Sequence, residues 1–438
     1  MNRRKFVTAV TAGATLPRLS AQPAGSGPVR EQPLTGEFWG PLHYDEAERS
    51  QVVEVLDLRR PFRFGGRTGT GADKVATFEK EFAAKIGTRF ALAVSSGTTA
   101  LESAVAALAL GPGDEVILPA WTWHSTCTAI VRACALPVFA EVDESFNLDP
   151  RDVEARITPQ TKAIFAVHLQ GNPADLDPIL AIARKHKLRV LEDCAQSVGA
   201  SYKGRRLGSL GHIAIYSHQE SKTISSGEGG SVVTSDPELY ERACRFHNVG
   251  NLSTVHQQAI GEARLGPFVG TNARMNEVTG GIMLAQVRKL DKIIAAARAN
   301  AARVYEGLAD IPGIRFRLRP DPAGDLGSPV FIRFESKAQR DRFIGAMKAE
   351  NVPVSPPSGS VILPTTPYIE NKVTVHPAWP TWNTPRGKSI QYGAACCPRT
   401  IDILSRFAGI AVGPKYTSRD IQDIIAAVHK AYPAALKG

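Results

Sequence analysis

Apolar runs of four or five residues alternate with amphipathic stretches from residue 73 to residue 234, and this alternation dominates the chain. Leu101, Ala104 and Leu108 recur at helical spacing, whereas a short continuous apolar run is typical of a buried strand. Strands that alternate with helices predict an α/β fold with a mostly parallel sheet and helices on both of its faces. The predicted strands are 90–94, 115–118, 138–141, 163–167, 189–191, 213–216 and 231–234. The predicted helices are 44–58, 73–86, 125–133, 176–187, 276–297 and 418–431.

The pattern changes near residue 298, and a length of 438 residues suits two domains. We expect a large cofactor-binding domain over 31–298 and a smaller C-terminal α/β domain over 299–438. The second region contains short strands, such as 330–334, and a proline-rich loop at 352–367. The helix predicted at 276–297 is expected to link the two domains.

The N-terminal segment, residues 1–30, is set apart from the fold as a leader and linker. It carries the pair Arg3 and Arg4, then Phe6, a weakly apolar run and small residues around Ala21. These features resemble a twin-arginine export leader, which predicts a periplasmic or secreted protein. The alternative is a basic disordered tail on a cytoplasmic protein.

Composition excludes several classes of function. The chain is 43% hydrophobic and 21% charged, and it has no run of about 18 apolar residues, so we expect no membrane-spanning helix. Its formal net charge of +10 is spread out without interleaved aromatic residues, which favours solubility or an anionic ligand over nucleic-acid binding. The six cysteines form no CxxC pair and predict neither a metal site nor a disulfide framework.

One lysine stands out as a candidate for chemistry. Lys222 follows the predicted strand 213–216 and precedes Gly227, Gly229 and Gly230. Glycines let a loop fold closely around a ligand, and a lysine held in such a loop can form a Schiff base with a carbonyl group. The alternative is a solvated lysine in a hairpin turn.

Three further segments follow predicted strands and offer parts of a pyridoxal 5′-phosphate site. The turn 95–99 opens a helix whose free N–H groups and dipole favour a phosphate. Asp193 could keep the pyridine nitrogen protonated, and Trp121 or Trp123 could stack on the ring. Taken singly, the turn and the tryptophans are explained better as a helix cap and as core packing, and Asp193 equally well as a turn cap. Their position on successive strand ends favours the ligand site, because ligands bind there in such sheets.

Two other loops are candidates for contacts with substrate or phosphate. The Gly/Arg-rich segment 64–71 is too irregular for a dinucleotide fingerprint, and no strong strand precedes it, so we interpret it as a substrate loop. The polar loop 270–275 ends just before a predicted helix and could contact a phosphate or a carboxylate.

With these motifs the chain resembles the DegT/DnrJ/EryC1/StrS family of pyridoxal-phosphate aminotransferases. The resemblance is close over 73–291 and weaker through 397–400 and 410–425. It rests on Phe78-Glu79 with Phe82-Ala83, Ser96-Gly97-Thr98-Thr99-Ala100-Leu101, Gly113-Asp114-Glu115-Val116, Val167-His168-Leu169, Glu192-Asp193-Cys194-Ala195-Gln196, Ser217 with Lys222, Gly227-Glu228-Gly229-Gly230, and Asn272-Ala273-Arg274-Met275.

The resemblance implies a fold-type I transferase with a mostly parallel, seven-stranded type of sheet. It also implies roles for individual residues. Lys222 matches the catalytic lysine that forms the Schiff base and carries the proton. Asp193 matches the carboxylate on the pyridine nitrogen, Gln196 the group near the ring hydroxyl, and Trp123 the stacking aromatic residue.

The resemblance also implies a phosphate site and an oligomeric state. Gly97, Thr98 and Ser217 match the family's phosphate contacts. Asn272 matches a residue that reaches the phosphate of the neighbouring subunit. A homodimer with shared active sites is therefore expected.

Within the family, Thr122-Trp123 and the segment 219–222 look most similar to the glutamine:scyllo-inosose and aminohydroxybenzoate-synthase branch. This similarity implies L-glutamine or L-glutamate as amino donor and a keto-sugar or keto-cyclitol as acceptor. His218 and Ala273 depart from the aromatic residues that are common at their positions. The alternatives are a sugar dehydratase or lyase on the same cofactor, which Lys222 disfavours because dehydratase members carry histidine there, and a non-catalytic cofactor-binding sensor.

Overall fold

The computed structural model describes residues 27–36, 38–64 and 72–437. The residues that resemble an export leader lie outside the described residues. The predicted substrate loop 64–71 also lies outside them, except for Phe64. None of the helices in the described part of the chain is long and apolar enough to span a membrane.

The helices, numbered in chain order, are α1 (Trp39–Leu42), α2 (Glu46–Leu58), α3 (Lys74–Ile86), α4 (Gly97–Ala107), α5 (His124–Arg132), α6 (Pro150–Ala155), α7 (Leu176–His186), α8 (Pro237–His247), α9 (Thr254–Ile260), α10 (Glu277–Leu308), α11 (Lys337–Ala349), α12 (Pro367–Glu370), α13 (Pro380–Asn383), α14 (Pro385–Ser389), α15 (Pro398–Ser405) and α16 (Ser418–Leu436). The strands are β1 (Phe90–Val94), β2 (Glu115–Pro119), β3 (Trp121–Thr122), β4 (Leu136–Ala140), β5 (Thr161–Val167), β6 (Arg189–Asp193), β7 (Ser201–Tyr202), β8 (Arg205–Arg206), β9 (Ile213–Ser217), β10 (Gly230–Thr234), β11 (Arg315–Phe316), β12 (Val330–Arg333), β13 (Val354–Ser355), β14 (Val361–Ile362) and β15 (Phe407–Ile410).

The main sheet has seven strands in the order β1-β10-β9-β6-β5-β2-β4. Strand β10 runs antiparallel to both of its neighbours, and the other neighbouring pairs are parallel. Most of the strand residues are buried, as expected for a sheet covered by helices on both faces. The predicted mostly parallel α/β sheet is confirmed, and each predicted strand of the sheet overlaps an observed one.

A second, four-stranded sheet in the order β11-β12-β15-β13 is antiparallel and packs with α11 and α16. Helix α10 continues well beyond the predicted end at residue 297 and contributes to both cores. Ile293 lies in the core of the main sheet, whereas Val304 and Leu308 lie in the core of the second sheet. One continuous helix therefore joins the two sheets, and the predicted boundary at 298 and 299 stays a prediction.

A C-terminal segment returns to the main sheet. Strand β14 pairs with β3, so Ile362 lies opposite Trp121. Farther along, Leu363, Ile369 and Cys397 join the core that contains β1 and β2. The residues just before β14 are thereby held over the carboxyl edge of the main sheet.

Candidate active site

A cavity of about 810 Å³ opens where β5, β6 and β9 end. Asp193 on β6 pairs with Val167 on β5 and Ile215 on β9, and all three residues line the cavity. The carboxyl ends of parallel strands meet at this edge, which is the ligand-binding edge of such sheets. Seven of the eight site residues predicted from the sequence line this one cavity: Gly97, Thr98, Trp123, Asp193, Gln196, Ser217 and Lys222.

Asp193 is the last residue of β6, and its side chain is buried. Its Oδ1 accepts a hydrogen bond of 3.1 Å from the Ala195 N–H, and its Oδ2 accepts one of 2.9 Å from Thr126 Oγ1. Burial raises the pKa of this carboxyl above its usual range, and the two hydrogen bonds act against that change. A buried carboxylate needs a cationic partner to stay charged, and a protonated ring nitrogen is such a partner.

Lys222 lies half-buried in the loop between β9 and β10. Burial lowers the pKa of its ammonium group, and the negative charge of Asp193 opposes part of this change. The loop is fixed by backbone hydrogen bonds from Gly40 N–H to Lys222 O at 3.1 Å and from Lys222 N–H to Gln219 O at 2.9 Å. Among the described residues, Nζ has no hydrogen-bond or ion-pair partner. A lysine that loses its proton easily is suited to attack a carbonyl carbon.

The start of α4 is a candidate anion site. Ser96 Oγ accepts a hydrogen bond of 3.1 Å from Thr99 N–H, and Thr99 Oγ1 accepts one of 3.0 Å from Ser96 N–H. This reciprocal cap leaves the N–H groups of Gly97 and Thr98 without a partner among the described residues. A Cβ atom at Gly97 would lie 2.8 Å from Ser217 Cβ, so glycine allows the close approach of α4 and β9. These N–H groups and the helix dipole suit a phosphate.

Two side chains at the start of α5 complete this side of the cavity. Trp123, directly before the helix, is 53% exposed, and its ring meets the His124 ring nearly at right angles with centroids 5.1 Å apart. His124 therefore does not stack on the indole, which offers a face to a planar ring. Ser125 Oγ lies 2.7 Å from Thr98 Oγ1, within hydrogen-bond distance, and links α5 to the anion site.

Gln196 lies on the side of the cavity that faces the C-terminal segment. Its Nε2 donates hydrogen bonds of 2.9 Å to Ser360 Oγ and 3.4 Å to Gly359 O. Its Oε1 accepts hydrogen bonds of 3.2 Å and 3.3 Å from the backbone N–H and the Nε2 of Gln170. The amide of Gln196 thus joins the end of β6 to the loop before β14.

Asn272 is the predicted site residue that does not line the cavity. It is exposed and pairs with Asn248 in a short antiparallel bridge. Arg274 Nη1 supports this bridge by donating a hydrogen bond of 2.8 Å to Asn248 Oδ1. The expectation that Asn272 reaches the phosphate of a neighbouring subunit stays a prediction.

A buried polar cluster lies behind Asp193. One potential metal-ligand atom from each of His168, Glu192 and Cys194 lies within 4.8 Å of the others. His168 Nδ1 accepts a hydrogen bond of 3.0 Å from Ala174 N–H, and its Nε2 lies 3.2 Å from Glu192 Oε2. The Glu192 oxygens also accept hydrogen bonds from three backbone N–H groups of the turn 208–211. Hydrogen bonding therefore accounts for this arrangement, and the cluster supports the end of β6.

Comparison with known families identifies the chain. The model of the DegT/DnrJ/EryC1/StrS aminotransferase family matches residues 61–429. The chain belongs to this family. The match spans the anion site, Asp193, Lys222 and Asn272, and it confirms the resemblance that the motifs indicate.

Two curated relatives and one solved structure illustrate the similarity to other DegT-family members. A GDP-perosamine synthase from Caulobacter vibrioides is 41% identical over 265 residues, covering 60% of this chain and 67% of its own. A Streptomyces kanamyceticus protein assigned as an L-glutamine:3-amino-2,3-dideoxy-scyllo-inosose aminotransferase is 35% identical over 335 residues, covering 75% of this chain and 77% of its own. The crystal structure of a 3-amino-5-hydroxybenzoic acid synthase matches with a TM-score of 0.75 and 28% identity, over 92% of this chain and 100% of that chain.

Sequence reasoning missed several polar side chains that the structure brings to the cavity, among them Thr126, Ser125 and Gln170. A signal existed for the first two, since both lie in the first turn of a helix that follows a strand end. Gln170 is a polar residue just after β5, where ligand contacts are common, but its partners come from distant parts of the chain.

Proposed function

We propose that this DegT-family protein is a pyridoxal-phosphate-dependent aminotransferase that moves an amino group from L-glutamine or L-glutamate to a keto-sugar or keto-cyclitol. The observation that carries the proposal is that Lys222, whose pKa is lowered by burial, and the buried carboxylate of Asp193 line the same cavity. The family match supports the reaction class.

The residues of the cavity fit the phosphate, the ring nitrogen and the ring face of pyridoxal phosphate. The N–H groups of Gly97 and Thr98, which have no partner among the residues that the structure describes, suit the phosphate, and Ser217 lies beside them. Asp193 suits the ring nitrogen. Burial raises the pKa of the Asp193 carboxyl, and a protonated ring nitrogen beside it would keep the carboxylate charged. Trp123 supplies an open aromatic face for the ring.

When bound, pyridoxal phosphate supplies a carbonyl carbon that bonds to amines and a ring that takes up electrons from the α-carbon of the donor. Asp193 keeps a proton on the ring nitrogen, which increases that capacity. Lys222 Nζ holds the cofactor before the donor arrives and then carries the proton that leaves the donor α-carbon. The lowered pKa of Lys222 keeps a larger fraction of the amine in the basic form that this step needs.

The relatives support the proposed substrates. The Streptomyces kanamyceticus relative is named as an L-glutamine:3-amino-2,3-dideoxy-scyllo-inosose aminotransferase, and the Caulobacter vibrioides relative as a GDP-perosamine synthase. Inosose is a ketone on a hydroxylated ring and perosamine is an amino sugar, which supports a ring ketone as the acceptor. Purified, cofactor-loaded protein is therefore mixed with L-glutamine or L-glutamate and then with a panel of such ketones.

Loss of the visible absorption of the loaded protein, with release of a keto acid, is the expected result of the first step. Formation of an aminated ring is expected in the second. A spectrum that neither donor changes would contradict the proposed donors and favour a sensor, and release of a dehydrated sugar would favour a lyase.

We also propose a homodimer in which Asn272 serves the partner's cofactor, because this side chain is exposed and lies outside the cavity of its own chain. Lys222→Ala and Asn272→Ala proteins, each impaired alone, are expected to regain activity when coexpressed, because a mixed dimer contains one intact site. No recovery in a purified mixed dimer would contradict the shared site.

Export is a separate proposal that rests on the pair Arg3 and Arg4. A reporter fused behind residues 1–30 is expected to leave the cytoplasm. Replacement of both arginines by lysine is expected to stop its export, and equal export of the two fusions would contradict a twin-arginine route.

A further inference from the structure

We infer that Gln170 is a specificity-determining residue that accepts a hydrogen bond from a ring hydroxyl of the ketone acceptor. This inference rests on the proposed function and adds a recognition site to it. Gln170 lines the cavity beside Gln196, but it has no role among the predicted cofactor contacts.

The backbone of Gln170 is held in an unusual conformation. Its φ of 54° and ψ of 43° lie in the left-handed region, which costs a non-glycine residue roughly 1 kcal/mol or more. Contacts on both sides maintain it. Arg317 Nη1 donates a hydrogen bond of 3.1 Å to Gln170 O, and Leu326 N–H donates one of 2.9 Å to Gly171 O. The backbone at Gln170 is thereby held by Arg317 and Leu326, which are distant from it in the sequence.

The neighbouring amide of Gln196 has no free hydrogen-bonding capacity. Both of its Nε2 hydrogens are used by Ser360 and Gly359, and its Oε1 already accepts two hydrogen bonds from Gln170. Recognition of another group by Gln196 would require one of these bonds to break.

Gln170 differs from Gln196 in having one open group. Its Nε2 donates a hydrogen bond of 2.5 Å to Ser358 O and one of 3.3 Å to Gln196 Oε1, so both Nε2 hydrogens are used. Its Oε1 makes no hydrogen bond to any described residue and is not among the buried atoms. This oxygen is therefore an accessible acceptor, and Gln170 is one of the residues that line the cavity.

The two Nε2 contacts also fix which way the amide points. Both partners of Nε2 are oxygen acceptors, so an amide turned by 180° would place its oxygen against two other oxygens. The open group is consequently an acceptor and selects a donor, such as a hydroxyl.

The chemistry around Gln170 favours an uncharged, hydroxylated ligand. Leu326, Pro329 and Ala411 line the same cavity and are apolar. Among the lining residues that the structure describes, the charged side chains are those of Lys222, Asp193 and Glu228. An acceptor of the keto-cyclitol type carries hydroxyl donors around an uncharged ring and matches the open oxygen of Gln170.

The test compares cofactor-loaded wild-type protein with Gln170→Met and Gln170→Leu. Both replacements lack an acceptor oxygen, and methionine has a similar length to glutamine. For each protein kcat/KM is measured for scyllo-inosose and for a series of analogues that each lack one hydroxyl. The donor half-reaction with L-glutamine is measured separately and shows whether each protein retains a working site.

For the wild-type protein, kcat/KM for one of the deoxy analogues is expected to be roughly tenfold lower than kcat/KM for scyllo-inosose. This is the loss expected for one hydrogen bond. This difference should nearly disappear in both variants. Should the methionine variant fail to fold, a preference in Gln170→Leu equal to that of wild type overturns the inference.

An equal preference in wild-type and Gln170→Met proteins also overturns the inference about Gln170. So does a wild-type protein that completes the donor step but aminates none of these hydroxylated ketones. A wild-type protein that fails the donor step contradicts the proposed function instead.

Discussion

Thr126 Oγ1 donates a hydrogen bond of 2.9 Å to the buried Oδ2 of Asp193. The bond connects the first turn of α5 to the end of β6 and supports the charged form of a carboxyl whose pKa is raised by burial. Thr126 also lines the cavity, close to where the ring of the proposed cofactor would lie. It is therefore a positioning residue for Asp193.

Thr126→Val removes this donor and preserves the shape of the side chain. We expect kcat/KM to fall roughly tenfold to hundredfold, since a hydrogen bond to a charged group contributes about 1.5–3 kcal/mol. The pH at which the visible spectrum of the loaded protein changes should also shift, because Asp193 then stabilises the ring proton less well. Thr126→Ser keeps the hydroxyl and should behave like wild type. Identical spectra and rates for the valine and serine variants would contradict this role.

Gly97 permits the contact between α4 and Ser217. In Gly97→Ala the new Cβ would lie 2.8 Å from Ser217 Cβ, so the first turn of α4 must move away from β9. We expect cofactor affinity to fall by roughly tenfold or more, because the N–H groups that bind the phosphate move with it. Equilibrium dialysis with pyridoxal phosphate measures this change. Gly111→Ala is the matched control, since its Cβ meets only Ala133 O at 4.0 Å.

Arg317 forms a buried ion pair of 3.2 Å with Asp325 and holds the backbone of Gln170. Arg317→Met leaves the Asp325 carboxylate buried and unpaired, so we expect a loss of roughly 3–5 kcal/mol in the free energy of unfolding. Urea denaturation measures this free energy of unfolding. The double variant with Asp325→Asn should recover part of the loss, because the uncompensated charge is then absent. A double variant no more stable than Arg317→Met alone would count against the ion pair as the cause.

Glu277 makes stability depend on pH. Burial raises the pKa of its carboxyl to about 7, although backbone hydrogen bonds from Val75 and Lys74 oppose this change. In the unfolded chain a glutamate titrates near 4.3, so between these values the folded protein binds more protons than the unfolded chain. This group therefore lowers stability progressively as the pH rises from about 4.3 towards 7.

Glu277→Gln removes this titration and keeps an oxygen for the two backbone N–H groups. We expect the difference in melting temperature, variant minus wild type, to increase by on the order of 2 °C from pH 5 to pH 8. Calorimetry at several pH values measures the difference. Glu262 is exposed, so Glu262→Gln is the control. Its melting temperature should match that of wild type at every pH. A constant difference between Glu277→Gln and wild type would contradict the titration.

The fold and most of the candidate site could be predicted because their signals are local. Each apolar run marks a strand, and Asp193 and Lys222 follow such runs directly, so the ligand edge is specified within a few residues of each strand. The helix cap at Ser96 and Thr99 is likewise a signal within four residues.

The wall around Gln170 could not be predicted, because its contacts are distant in sequence. Gln170 and Ser358 are 188 residues apart, and no residue pattern near either one indicates the other. The pairing of Val361–Ile362 with Trp121–Thr122 is similar, since two-residue strands carry no periodicity. The end of α10 was predicted too early because its apolar face continues into a second core.

Lys222 is expected to bind the cofactor covalently, and peptide mapping tests this bond most directly. Protein loaded with pyridoxal phosphate is reduced with sodium borohydride, which makes a lysine–cofactor bond permanent, and is then digested and analysed by mass spectrometry. Lys162→Ala, which removes an exposed lysine, serves as control beside Lys222→Ala. We expect the cofactor mass on the peptide containing Lys222 in wild type and the control, and none in Lys222→Ala. A label on another lysine in wild type, or an undiminished label in Lys222→Ala, would contradict the account.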